Sequence, residues 1–245
     1  MDRVLVIAHR GGGALFPENT LGAFRRALAV GADGVEVDVR STADGVLVAL
    51  HDATLERTAG LSARLADMPW RVVREADAGA RLGPEWSGER VPSLDQVLSA
   101  ASRGHIVLDV KPEESARPGF TEDFRRSLRT HEGPLAVLSV DHAWLAELAA
   151  RVPTILPLYN FRQPGDVARL QDLSAAVGLA VGTHALTPAM LTTAWAHDWP
   201  VYLWTPTAPA ELEVALRLPV AAVISDDPVA ALGIRARITP PAGER

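Results

Sequence analysis

The chain contains no cysteine among its 245 residues. Disulfides, thiolate zinc sites and a cysteine nucleophile are thereby excluded, and any metal must be held by oxygen or imidazole. Basic residues are not in excess: 24 Lys and Arg face 30 Asp and Glu, giving a net charge of −6 and a pI near 5.6. There is no cationic footprint for nucleic acid or an anionic membrane. No run approaches the roughly 18 apolar residues that span a bilayer. The apolar stretch near the N-terminus, Val4–Ala8, is too short for the core of a secretory leader. These absences predict a cytoplasmic protein with no nucleic-acid partner and no stable membrane anchoring. What is present is a 48% apolar content, enough for one large core.

Short β-branched runs alternate with helical stretches along the chain. The runs are 5–9, 34–39, 46–52, 105–111, 135–140, 154–159, 176–182, 201–205 and 221–226. Helical patterns lie between most of them, at 93–104, 141–152, 187–199 and 208–218. In the first helix the apolar face is Leu21, Phe24, Ala27 and Leu28, with Asn19 and Thr20 as caps and Gly31 as stop signal. About eight strands alternating with helices predict an α/β fold, a (β/α)8 TIM barrel. An open doubly wound sheet would want a Gly-rich phosphate turn; the glycines at 11–13 lack that spacing, and Pro17 interrupts before the helix. Residues 1–245 are read as a single barrel domain. Residues 53–92 break the alternation and are expected to form a small insertion with short helical pieces, on the rim after the strand carrying His51. The tail 239–245 is expected to be frayed. Helix faces on a barrel exterior look alike whether solvated or paired, so a homo-oligomer is left open.

Polar groups gather at the C-terminal ends of these runs, the end where such barrels carry chemistry. His9, Asp38, His51, Asp109, Lys111, Ser139, Trp204 and Asp226 all sit there. Glu36 and Asp38, two apart in a strand, face the same way, which in a barrel is inward. Two adjacent buried carboxylates repel, and a cation relieves the cost. Asp109 from another strand completes an oxygen-rich set suited to a divalent cation, Mg2+ or Ca2+. The alternative is a purely structural network with Arg10, Arg40 or Lys111. Two strand-end histidines beside the carboxylates favour the metal. His9 and His51 can deliver and remove protons near neutral pH. Arg10 and Lys111 can hold phosphate oxygens, and Trp204 can wall the pocket. The remaining histidines, 105, 131, 142, 184 and 197, are read as structural. Ser139 lacks a nucleophile-elbow sequence, and Asp226 is read as a cap for the last loop or helix.

The set HRG (9–11), PENT (17–20), EVDV (36–39), HD (51–52), D-x-K (109–111), WT (204–205) and SDDP (225–228) resembles the glycerophosphodiester phosphodiesterases along nearly the whole chain. The resemblance implies a (β/α) barrel with a small inserted segment after the HD strand. It implies hydrolysis of a small-molecule glycerophosphodiester to glycerol 3-phosphate and an alcohol, with a divalent cation. It places the proton-transfer pair at His9 and His51 and the metal ligands at Glu36, Asp38 and Asp109. Glu18, Asn19 and Asp52, within the same motifs, are expected to support them. Three positions depart from the family's pattern. Asp109 stands where Glu is usual, so its oxygen is expected to fall about one bond length short unless the backbone shifts or water bridges. Val140 replaces a frequent aromatic, and Pro206-Thr207 replaces a frequent Val-Asn pair. Two other readings remain: a related phosphodiesterase that stops at a cyclic phosphate or takes lysophospholipids, and a non-catalytic barrel that binds glycerophosphodiesters.

Overall fold

Eight parallel strands close on themselves in the computed structural model, which describes residues 3–173 and 177–238. The expected frayed tail, 239–245, lies outside the described residues. The strands are β1 (Leu5–Ala8), β2 (Gly34–Ser41), β3 (Leu47–Ala49), β4 (Thr54–Leu55), β5 (Leu61–Arg64), β6 (His105–Val110), β7 (Leu135–Ser139), β8 (Leu156–Phe161), β9 (Gly178–Gly182), β10 (Val201–Trp204) and β11 (Ala222–Ser225). The barrel runs β1, β2, β6, β7, β8, β9, β10, β11, and β1 pairs with both β11 and β2 to shut it.

The run at 46–52 behaves differently from the others. β3 pairs antiparallel with the upper end of β2, Val39 opposite Ala49. The tight turn before it permits only a hairpin, because a parallel return needs a crossover of a dozen residues. β3 therefore lies outside the eight-stranded barrel, and His51 reaches the rim from that hairpin.

Residues 53–92 contain the two-stranded ribbon β4–β5, as well as short helical turns at Glu56–Ala59, Trp70–Val73 and Pro84–Trp86. Leu55, Leu65, Met68 and Val73 pack with Val48 and Leu50 into a small core of their own.

Inward-facing positions change character along each strand. Ile7, Val107, Ala136, Leu138, Leu158, Ala180, Tyr202, Ala222 and Ile224 fill the barrel's interior. One or two inward positions further on stand His9, Asp109, Val140, Asn160, Trp204 and their neighbours, which line an open cavity at the C-terminal end. The outward residues of β2, Val35, Val37 and Val39, pack under the surrounding helices. Period-two alternation thus leaves Glu36 and Asp38 inside.

Candidate active site

The cavity above the plugged barrel measures about 440 Å3 and is lined by His9, Arg10, Glu36, Asp38, His51, Asp109, Lys111 and Trp204, among others. All of the expected catalytic, metal-binding, cationic and pocket residues therefore meet in one place.

A sharp turn at His9–Gly11 sets the first wall. Arg10 (φ 53°) and Gly11 (φ 84°) both take the left-handed backbone region. At position 11 a Cβ would lie 2.9 Å from that of Ala23, so only glycine fits. At Arg10 the same conformation costs about 1–2 kcal/mol. Two bonds hold it: the Arg10 N–H donates to Glu36 Oε2 (2.9 Å), and the Arg10 carbonyl accepts from the Asn19 N–H (2.9 Å).

Glu36, Asp38 and Asp109 each offer an oxygen within 4.8 Å of the other two. Asp38 and Asp109 are direct register partners on adjacent parallel strands. Asp109 joins the cluster despite its shorter side chain. Three like charges at such separations repel by roughly 3–4 kcal/mol per pair at an effective dielectric of about 20. Lys111 Nζ offsets part of this, lying 2.6 Å from Asp38 Oδ1 and 2.5 Å from Asp109 Oδ2. Arg10 Nε lies 3.2 Å from Asp38 Oδ2.

Among the described residues no Lys or Arg side chain pairs with Glu36, and burial, with the charge of Asp38 next, pushes its carboxyl up to about 7 against the weaker pull of His9 and Lys111. Asp38 goes the other way: burial raises it, but Lys111 and Arg10 outweigh burial and hold it near 2. Burial also lifts Asp109, against the pull of Lys111. Oxygens bound to one divalent cation lie at most about 5.2 Å apart. The three carboxylates fit such an ion, which would displace the proton that Glu36 otherwise retains near neutrality.

Each histidine has its own carboxylate. His9 Nδ1 lies 2.6 Å from Asp226 Oδ1, and its Nε2 lies 3.8 Å from Glu36 Oε2. Burial lowers the pKa of His9, but Glu36 and Asp226 more than compensate, so it is raised overall. His51 Nδ1 lies 2.7 Å from Asp52 Oδ1. An ionised carboxylate can only accept, so each Nδ1 carries a proton, which leaves Nε2 as the ring atom available for proton transfer.

The supporting residues are tied together. Asn19 Nδ2 donates to Asp38 Oδ2 (2.9 Å), and its Oδ1 accepts from the Asp38 N–H (3.2 Å). Asn19 thus grips the cluster, and Thr20 alone caps the following helix. Arg57 spans Asp52 (2.7 Å) and both oxygens of Glu18 (2.6 and 2.7 Å). Glu18 in turn accepts from Arg10 (3.3 Å).

Asp226 does not cap the last helix as its sequence suggested. Asp227 does, accepting the Ala230 N–H at 2.8 Å, which frees Asp226 to hold His9. Four further residues at the site carried no assigned role in the sequence: Arg57, Arg40, Asn160 and Arg162. The sequence offers Arg40 only as a partner for Glu36 and Asp38. It turns instead to Glu113 (3.1 Å), Glu114 (3.4 Å) and the His51 carbonyl (2.7 Å). Asn160 and Arg162 lie beyond the expected end of their strand, which the structure extends to Phe161. The remaining histidines stay off the cavity wall: His105 meets the Tyr202 hydroxyl at 3.1 Å, and His184 donates to the Arg162 carbonyl at 2.8 Å.

The model of the glycerophosphoryl diester phosphodiesterase family matches residues 9–230. The chain belongs to this family. The family's glycerophosphodiester phosphodiesterase of Caldanaerobacter subterraneus subsp. tengcongensis is 28% identical over 234 residues, covering 92% of this chain and 95% of that one. A Mycobacterium tuberculosis protein named as a probable glycerophosphodiester phosphodiesterase 2 is 31% identical, covering 91% and 87%. Among solved structures, an Oleispira antarctica phosphodiesterase in complex with its product sn-glycerol-3-phosphate superposes with a TM-score of 0.85. It is 27% identical and covers 94% of this chain and 96% of that one.

Proposed function

We propose that this member of the family hydrolyses glycerophosphodiesters to glycerol 3-phosphate and an alcohol, with a divalent cation and a pair of histidines. The observation that carries the reading is the convergence of three buried carboxylates with two histidines, each oriented by a carboxylate of its own. A binding protein has no need of two imidazoles, each oriented by a carboxylate, on the wall of one cavity.

Glu36, Asp38 and Asp109 would hold the cation, which when bound polarises a phosphate oxygen and neutralises charge on the phosphoryl group. Arg10 and Lys111 share the remaining negative charge from fixed positions, so little reorganisation is needed as it develops. One histidine takes a proton from the attacking oxygen at its Nε2, and the other gives a proton to the departing alkoxide. Asp226 and Asp52 stabilise each imidazolium as it forms. Arg57 keeps Asp52 in place, and Asn19 keeps Asp38 aimed at the cluster. The acidic, cysteine-free composition supports a cytoplasmic location. Among the described residues no helix is long and apolar enough to cross a membrane.

The test is release of glycerol 3-phosphate from glycerophosphocholine and glycerophosphoethanolamine after EDTA treatment, then with Mg2+, Ca2+ or Mn2+ restored. Release only with metal is expected. A folded sample that releases nothing with any of the three metals would overturn the reading.

A further inference from the structure

The half of the cavity away from the carboxylates has a chemistry of its own. Its features rest on the hydrolase reading only in supposing that the arm of the diester beyond the phosphate lies there. Along β8 the inward positions run Leu156, Leu158 and Asn160, and Arg162 follows just past the strand's end. The leucines belong to the barrel plug, and the last two line the cavity. Asn160 is only 9% exposed, and its Oδ1 accepts from Trp204 Nε1 at 3.2 Å. An indole N–H can only donate, so it fixes which end of the carboxamide faces Trp204. The NH2 of Asn160 is left for the cavity.

Arg162 stands immediately above. Its backbone is pinned at the rim, the N–H donating to Asp166 Oδ2 (2.9 Å) and the carbonyl accepting from His184 (2.8 Å). The other cations on the wall are matched: Arg10 by Glu18 and Asp38, Arg40 by Glu113 and Glu114, Lys111 by Asp38 and Asp109. The Arg162 guanidinium has no acidic partner among the described residues. This side of the cavity is therefore rich in donors, carries a free positive charge and offers one aromatic face, Trp204. A quaternary ammonium wants several aromatic faces and no cation nearby. A carboxylate or phosphate matches a guanidinium fork and an amide NH2 directly.

We propose that Asn160 and Arg162 form a subsite for the alcohol arm of the substrate and select an arm that carries an anion over one that carries only a cation. Arg162 supplies the charge, Asn160 a neutral donor below it, and Trp204 both the wall and the anchor that sets the amide's orientation.

Glycerophosphoserine and glycerophosphoethanolamine differ by one carboxylate, so their comparison isolates the proposed contact. With Mg2+ present, kcat/KM is expected to favour the serine ester by about fivefold, the scale of one partly exposed ion pair. In Arg162→Gln the ratio should fall to near one, and in Arg162→Glu it should invert. A wild-type ratio at or below one, or a ratio unchanged in Arg162→Gln, would overturn the proposal. Calorimetric titration of both esters onto the His51→Asn protein gives the ratio of Kd values without turnover. Absence of hydrolysis would then count against the hydrolase reading alone, and a Kd ratio of one would count against the subsite.

Discussion

His9 Nδ1 lies 2.6 Å from Asp226 Oδ1 although 217 residues separate them. The contact exists because β1 and β11 are neighbours in the closed barrel, Ala8 beside Ser225. The first histidine is thus oriented by the last strand. An Asp226→Asn change is expected to lower kcat by about 10- to 100-fold, since the amide no longer enforces one tautomer. Asp226 also contributes to raising the His9 pKa, so the histidine's titration should move to lower pH in the variant. NMR titration of His9 in the metal-free protein measures this. A curve shifted upward, or an unchanged kcat, would contradict the assignment.

His9→Ala and His51→Ala are each expected to remove most turnover, about 100- to 10,000-fold, with the fold intact. Kinetics paired with circular dichroism checks this. Near wild-type rate in either variant would sink the acid–base pair.

Arg57 joins Asp52 to Glu18 and so links the environments of His51 and Arg10. Arg57→Ala should reduce kcat about tenfold with KM little changed, because the guanidinium touches supporting carboxylates and not the cavity wall. Arg57→Lys should recover only part of the loss, as an ammonium cannot reproduce the fork that grips two carboxylates. A loss confined to KM would show that Arg57 contributes to substrate binding and not to the alignment of His51.

The sequence reading identified what local periodicity encodes. Spacing of two along β2 put Glu36 and Asp38 on one inward face, and strand-end placement put His9 and Lys111 on the rim. It missed what depends on registry between distant strands. Asp226 and Asp227 are equivalent as turn residues, and only the pairing of β1 with β11 separates their roles. Asn160 and Arg162 are not legible because the apolar run begins at 154, two residues ahead of the strand, which starts at Leu156. Arg57 lies in a weakly periodic segment, and nothing local signals that it folds back to Glu18. The hairpin that carries β3 is legible in the sequence, since its turn is too short for a crossover.

Asp77 organises part of the inserted segment. Its Oδ1 accepts from the N–H groups of Gly79 (3.1 Å) and Ala80 (3.0 Å), and its Oδ2 from that of Gly88 (2.8 Å). The Gly88 bond is the largest of the causes that hold its carboxyl below the usual range. A pKa lowered by folding stabilises above the unfolded value and is lost as pH falls through the folded one. Asp77→Asn should therefore lower stability at pH 7, and the gap should narrow as pH falls below about 4. Urea midpoints at pH 7 and pH 3 test it; an equal gap at both would show that charge is not involved.

Asp109 is the position where the cluster departs from the pattern its sequence resembles, and its carboxylate still lies with those of Glu36 and Asp38. It stands directly beside Asp38 in register, and Lys111 Nζ bridges the two at 2.5 and 2.6 Å. An aspartate carboxylate stands one methylene closer to its strand than a glutamate's, so the shorter side chain is expected to leave more room for a cation. Roomier oxygen sites favour Ca2+, at about 2.3–2.6 Å, over Mg2+, at about 2.0–2.1 Å. Asp109→Glu extends the carboxylate by one methylene into that space and should shift the ratio of Mg2+- to Ca2+-supported activity toward Mg2+ by several-fold. Metal titrations of the EDTA-stripped wild type and variant measure the shift. An unchanged ratio would mean that Glu36 and Asp38 set the cation's size by themselves, with Asp109 serving chiefly to hold Lys111.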